Sequence, residues 1–191
     1  MGRSWTVGAA LALATAGLVS AVGPASAVSH RTEGTPSVSV CSTPWGSGTK
    51  TAADADGKPL KNITASRGTC YDRMVFDISG AKAELGYHVG YVDAFHQDGS
   101  GEPIPVGGGA ILQVFVSAPS YDPENMRPTY PGKAGKPLPG VDLTGYKTFK
   151  DTKFGASFEG QTQIGLGVRA RLPFRVLQSG DKLIVDVAHT W

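Results

Sequence analysis

The side chains best equipped for acid–base chemistry in this sequence are four histidines and a scatter of carboxylates, and their spacing limits what they can do. The stretch KLIVDVAH (182–189) places Asp186 and His189 three residues apart. A carboxylate that meets an imidazole can orient it as a general base. The same stretch alternates in the period of a β-strand. In an unbulged strand, Leu183, Val185, Val187 and His189 share one face, and Ile184, Asp186 and Ala188 share the other. Asp186 and His189 then point to opposite sides of a sheet and form no dyad.

The remaining histidines are scattered. His30 lies in a polar stretch, and His88 and His96 are eight apart. His88 and Tyr91 flank the centre of an alternating run, where a single His is read as structural. An enzymatic alternative survives in outline: a secreted hydrolase using His88, His96 or His189 with an acidic partner. It requires one of these rings to meet a carboxylate in an open cleft.

His96, Asp98 and Glu102 in HQDGSGE resemble the start of a calcium loop, but the alternating Asp/Asn pattern and the bidentate Glu six residues after the Gly are missing. The stretch reads as a hairpin turn. No GxSxG, HExxH, P-loop or helix-opening GxGxxG occurs, and Gly107-Gly108-Gly109 is a bare triplet before a strand. The sequence therefore assigns no catalytic residue, no metal ligand and no cofactor.

A second kind of chemistry is suggested by the segment 118–145, which is dense in Pro and Gly and lacks apolar periodicity. Tyr121, Tyr130 and Tyr146 are interleaved there and just beyond with Lys133 and Lys136. Aromatic faces beside cations suit a glycan or an extended polymer. These five residues are the ligand-binding candidates; the plainer alternative has the tyrosines packing back on a sheet. A loop of this length within a domain is unusual, and it is expected to be an exposed excursion between two strands.

The elements that must position these residues are almost all of period two. MVFDI (74–78), YHVGYVDAF (87–95), AILQVFV (110–116), TKFGASFEG (152–160), QTQIGLGV (161–168), PFRVL (173–177) and KLIVDVAH read as half-buried strands, and SVSVC (37–41) also alternates. Turn pairs such as Asp98-Gly99, Glu159-Gly160 and Ser179-Gly180 separate them. Only ISGAKAELG (78–86) looks helical, for about one turn. Short strands with regular turn signals predict an all-β antiparallel sandwich or barrel.

The first 27 residues read as a secretory leader. Arg3 precedes an apolar run over residues 9–22, and Ala25-Ser26-Ala27 is a cleavage signal placing the cut after Ala27. The run is shorter than the ~20 residues of a membrane span, so no stable membrane insertion is expected after cleavage. Residues 28–36 read as a polar, disordered tail, and residues 37–191 as a single domain.

Lys and Arg total 18 against 16 Asp and Glu, and this near-neutral balance excludes nucleic-acid binding as an expectation. In an exported chain, the only two cysteines, Cys41 and Cys70, read as a disulfide.

Taken in order, YDRMVFDISG, GYHVGYVDAF, DGSGEPIPVGGGAILQVFVS, FEGQTQIGLGV and the PFRVLQSGDKLIVDVAH ending resemble the AMIN-like domain of secreted actinobacterial proteins, a family related to the amidase N-terminal domain. The resemblance spans roughly residues 60 to 191. Its most specific parts are the D-R-x-V-F strand from Asp72 to Phe76 and the closing pair from Phe174 to Val187. It implies a β-sandwich of two packed antiparallel sheets and a non-catalytic module that binds peptidoglycan in the envelope. It carries over no catalytic residue.

The combined expectation is a secreted, stand-alone module that binds an envelope polymer or an envelope protein. A module that adds a partner strand to an exposed sheet edge is the other non-enzymatic alternative.

Overall fold

Alternation becomes a strand where a core can receive one of its faces. In Tyr71–Asp77 the inward residues Asp72, Met74 and Phe76 are 0% exposed, while Tyr71, Arg73, Val75 and Asp77 are half-buried on the other side. A computed structural model describes Cys41, residues 43–53 and residues 57–191, all within one unit, Ser39–Trp191. The expected leader with its cut after Ala27, the 28–36 tail and most of the SVSVC run lie outside the described residues.

The strands are β1 (Lys50–Ala52), β2 (Asn62–Arg67), β3 (Tyr71–Asp77), β4 (Tyr87–Val92), β5 (Ala110–Val116), β6 (Phe149–Phe158), β7 (Gln161–Val168), β8 (Phe174–Ser179) and β9 (Lys182–Ala188). They form a five-stranded sheet in the order β1-β4-β5-β7-β6 and a four-stranded sheet in the order β2-β3-β9-β8. Every pairing is antiparallel.

The two sheets pack face to face over one core. Met74, Phe76, Phe174, Leu183, Val185 and Val187 of the smaller sheet meet Val89, Leu112, Val114, Ile164 and Leu166 of the larger. This is the expected all-β sandwich. No helix occurs among the described residues, so none there is long and apolar enough to cross a membrane. ISGAKAELG contributes a single turn, closed by the Ala81 N–H to the Ile78 carbonyl at 3.0 Å.

The hairpins fall where the turn pairs predicted them. Glu159 and Gly160 both have positive φ, 46° and 80°, which is the type I′ geometry that joins β6 to β7. Ser179 pairs with Lys182 across Gly180-Asp181, joining β8 to β9. Two strands escaped the sequence reading. β1 has only three residues, and β2 (NITASR) buries Ile63 and half-buries Ala65, so neither alternates strongly enough to be seen.

The 118–145 segment is the expected excursion between two strands, exposed over much of its length, but it is pinned to the sandwich. Ala118, Tyr130 and Leu138 are buried in the core. Topology supplies the reason: β7 lies between β5 and β6, so the chain leaving β5 must pass β7 and reach the far edge of the sheet. It then runs along that edge. The Phe154 N–H donates to the Lys136 carbonyl, the Gly135 N–H to the Phe154 carbonyl, and the Ser120 N–H to Ser157 Oγ. An irregular path that still satisfies an open edge is what a Pro- and Gly-rich strap can follow. The strap thereby pairs the backbone of the longest edge strand at Phe154, one way in which an open edge is protected.

The β4–β5 connection folds back over the outer face of the larger sheet. Phe95 is 2% exposed and seats over Gly155 and Gly165, where added Cβ atoms would lie 2.8 and 2.9 Å from its ring. A Cβ at Gly167 would lie 1.8 Å from the Gly107 carbonyl oxygen. The alternating glycines of QTQIGLGV thus mark where another segment presses on the sheet.

Candidate functional site

The paired elements β3 and β9 position the charged groups of the smaller sheet. Their register sets Arg73 opposite Asp186 and Asp72 opposite Val187. Consecutive residues of β3 face opposite ways, and so do Asp186 and His189 at the end of β9. Each finds a partner on its own side of the sheet.

On the inner side, His189 Nε2 lies 3.0 Å from Asp72 Oδ1, and its Nδ1 lies 3.2 Å from the Thr69 carbonyl oxygen. Asp72 Oδ2 accepts the backbone N–H groups of Thr148 at 2.6 Å and Phe149 at 3.2 Å. The carboxylate thus joins β3 to the start of β6 in the other sheet. An Asp–His contact exists, though not between the two residues the sequence set side by side. It is sealed, with Asp72 0% and His189 8% exposed. A closed pair whose carboxylate is already spent on two backbone donors is an inter-sheet clamp; the hydrolase alternative required an open cleft.

The other histidines carry no acid–base geometry. His88 is exposed and packs edge-to-face on Phe115 with centroids 6.5 Å apart. His96 sits in a hairpin turn, where the Gln97 N–H donates to the Glu102 carbonyl at 2.8 Å. Among the described residues no group of His, Cys, Asp and Glu converges as a metal site.

On the outer side, four strands contribute one row: Ser66 of β2, Arg73 of β3, Asp186 of β9 and Arg175 of β8 stand in register. Arg73 Nε and Nη2 donate to the two Asp186 oxygens at 2.6 and 2.9 Å, and Arg175 Nε donates to Oδ2 at 2.8 Å. Asp186 is wholly buried beneath them, whereas the arginine side chains are 28% and 32% exposed. The hydrogen bond to Asp186, opposed by partial burial, raises the Arg73 pKa further above its usual value.

Aromatic rings wall this row on one side. The Arg175 guanidinium lies 4.4 Å from the Trp45 ring centroid and 5.4 Å from that of Tyr71; Arg73 lies 5.1 Å from Tyr71. Trp45 and Tyr71 are themselves 5.8 Å apart. The Cys41–Cys70 disulfide holds the strand-free segment bearing Trp45 next to Tyr71, with Cα atoms 5.3 Å apart. The Phe174 N–H donates to the Gly46 carbonyl at 2.9 Å and fixes its other side.

The loop candidates divide. Tyr121, Tyr130 and Lys133 line one open depression of about 360 Å³, together with Pro128 and Pro131. Tyr130 offers it little, being 3% exposed, tilted on Phe154 at 6.3 Å, and bonded through its hydroxyl to the Pro139 carbonyl. Lys136 serves the β6 edge through its backbone, and its side chain is exposed. Tyr146 stacks on Phe149 at 5.8 Å, with Arg67 above it at 6.0 Å.

Sequence reasoning missed Trp45, Tyr71, Arg73 and Arg175 as a group. The available signal was the pairing of two stretches already singled out: D-R in β3 and F-R-V with L-I-V-D-V in β8 and β9. The model of the AMIN-like domain matches residues 58–189. No curated protein and no solved structure matches the chain.

Proposed function

Because the chain belongs to the AMIN-like domain family, we propose that it is a secreted, non-catalytic module of the cell envelope that holds an envelope polymer on the outer face of its four-stranded sheet. The observation that carries this reading is the aromatic and guanidinium surface formed by Trp45, Tyr71, Arg73 and Arg175. Ring faces beside immobilised cations suit extended polar ligands, and a flat sheet leaves room for a chain longer than any pocket. The family adds support, since the AMIN-like resemblance points to an envelope binding module. The disulfide is consistent with an oxidising compartment.

The apolar depression at Tyr121 and Lys133 is the lesser candidate, because its central tyrosine is spent on the core. The test is co-sedimentation of the purified protein with insoluble peptidoglycan, beside the Trp45→Ala variant. The wild type should pellet with the polymer and the variant should stay largely in solution. A wild type that remains wholly in the supernatant at both low and high salt refutes polymer binding.

A further inference from the structure

Two arginines on one carboxylate leave charge and donors over. Asp186 balances one guanidinium, so the row carries a surplus of one positive charge. Elsewhere on this face, Lys182 is matched by Asp77 at 3.4 Å and Asp181 at 3.1 Å, so the surplus is confined to the arginine row. Arg175 uses only Nε on Asp186, and both of its terminal nitrogens lack a hydrogen-bond partner among the described residues; so does Nη1 of Arg73.

The bidentate Arg73 already neutralises the Asp186 charge and bonds both of its oxygens, and Arg175 adds only one further bond, to Oδ2. The second guanidinium is held in plane from behind by Asp186 and stacked from the side by Trp45. Its terminal nitrogens are therefore held by the bond to Asp186 and the Trp45 ring while remaining unused, on a side chain that is 32% exposed.

We infer that the Arg73–Asp186–Arg175 row is a carboxylate receptor, in which the unused guanidinium N–H donors take a carboxylate borne by the polymer while Trp45 packs against the residue that carries it. This inference rests on the polymer-binding reading above and names the chemistry that the same surface selects. A guanidinium edge matches two carboxylate oxygens in one plane, and fixed donors lose little entropy on binding. A planar carboxylate can lie level with the stacked guanidinium, keeping its sugar or peptide alongside the indole. A tetrahedral phosphodiester would send its substituents out of that plane.

The experiment compares binding of the wild-type protein to peptidoglycan sacculi with free carboxylates and to the same sacculi after carboxyl amidation. Polygalacturonate and its methyl ester form a second pair, separating a stem-peptide carboxylate from a uronate. Masking the carboxylates should weaken binding about tenfold, the effect of losing one charge-assisted contact. Arg175→Gln, which leaves Arg73 bidentate on Asp186, should weaken binding to the free acid by a similar factor and abolish the difference between free and masked polymer.

Equal binding of free and amidated sacculi by the wild type would overturn the receptor while leaving the polymer module standing. So would tighter binding to a polyglycerol phosphate. Absence of binding to every polymer would sink both. The wild-type comparisons hold even if Arg175→Gln fails to fold.

Discussion

Replacing Asp72 tests the inter-sheet clamp most directly, because Ala and Asn at this position should behave very differently. Asp72 is fully buried and accepts from the Thr148 and Phe149 N–H groups and from His189. Asp72→Ala removes all three contacts and leaves two backbone donors and a ring nitrogen buried without partners. A buried polar group left without its partner costs about 1–3 kcal/mol, so losing the acceptor that serves all three should cost roughly 3–5 kcal/mol. At about 2–4 °C per kcal/mol for a domain of this size, the melting temperature should fall by roughly 10–15 °C.

Asp72→Asn is different. The amide oxygen can still accept from Thr148 and Phe149, and the amide N–H can donate to His189 Nε2. The ring then needs a proton only on Nδ1, which already faces the Thr69 carbonyl at 3.2 Å. Every group is satisfied, and only the charge assistance is lost, about 1–2 kcal/mol. The assay is urea and thermal unfolding of the disulfide-intact protein, followed by far-UV circular dichroism. If Asn proves as damaging as Ala, the hydrogen-bond account of the clamp is wrong; if Ala costs less than about 1 kcal/mol, the clamp itself is.

Other predictions concern the disulfide, the crowded glycines and alkaline pH. Paired Cys41→Ser and Cys70→Ser substitutions should cost about 3–4 kcal/mol in the chain-entropy picture, and should raise acrylamide quenching of Trp45 fluorescence as its segment leaves Tyr71 and Arg175. Gly167→Ala places a methyl against the Gly107 carbonyl, so it should destabilise by about 3 kcal/mol or more or block folding, whereas Ala at the open, positive-φ Gly180 should cost no more than about 1–2 kcal/mol. Burial raises the Tyr130 hydroxyl well above its ordinary pKa of 10.0. Above that pH the unfolded chain loses the proton while the folded one keeps it, so the native state binds more protons. Stability should then fall as pH rises past 10, by at most about 1.4 kcal/mol per pH unit for this group. Tyr130→Phe should flatten that part of the alkaline decline in urea midpoints.

Much of the architecture was legible because strand period is a local property. AILQVFV and QTQIGLGV coincide with β5 and β7, and the Gly-containing turns close the predicted hairpins. What failed was wherever composition had to stand in for topology. The 118–145 segment read as an exposed loop, which much of it is, but nothing in its residues says that it must travel past β7 and pin itself to the β6 edge. Tyr130 read as a ligand contact because an aromatic among Pro, Gly and Lys looks the same whether it faces solvent or Phe154.

Asp186 and His189 show the division most clearly. Alternation alone put Asp186 and His189 on opposite faces of β9, and that is where they lie. Their partners came from elsewhere in the chain: the β3–β9 register, set by burying Met74, Phe76, Val185 and Val187 together, brought Arg73 to Asp186 and Asp72 to His189. Which face a side chain takes is decided by the geometry of its own strand. Which charge it meets there depends on a register fixed by long-range burial, and so only the folded sheet could turn an apparent acid–base pair into a sealed clamp on one side and an arginine row on the other.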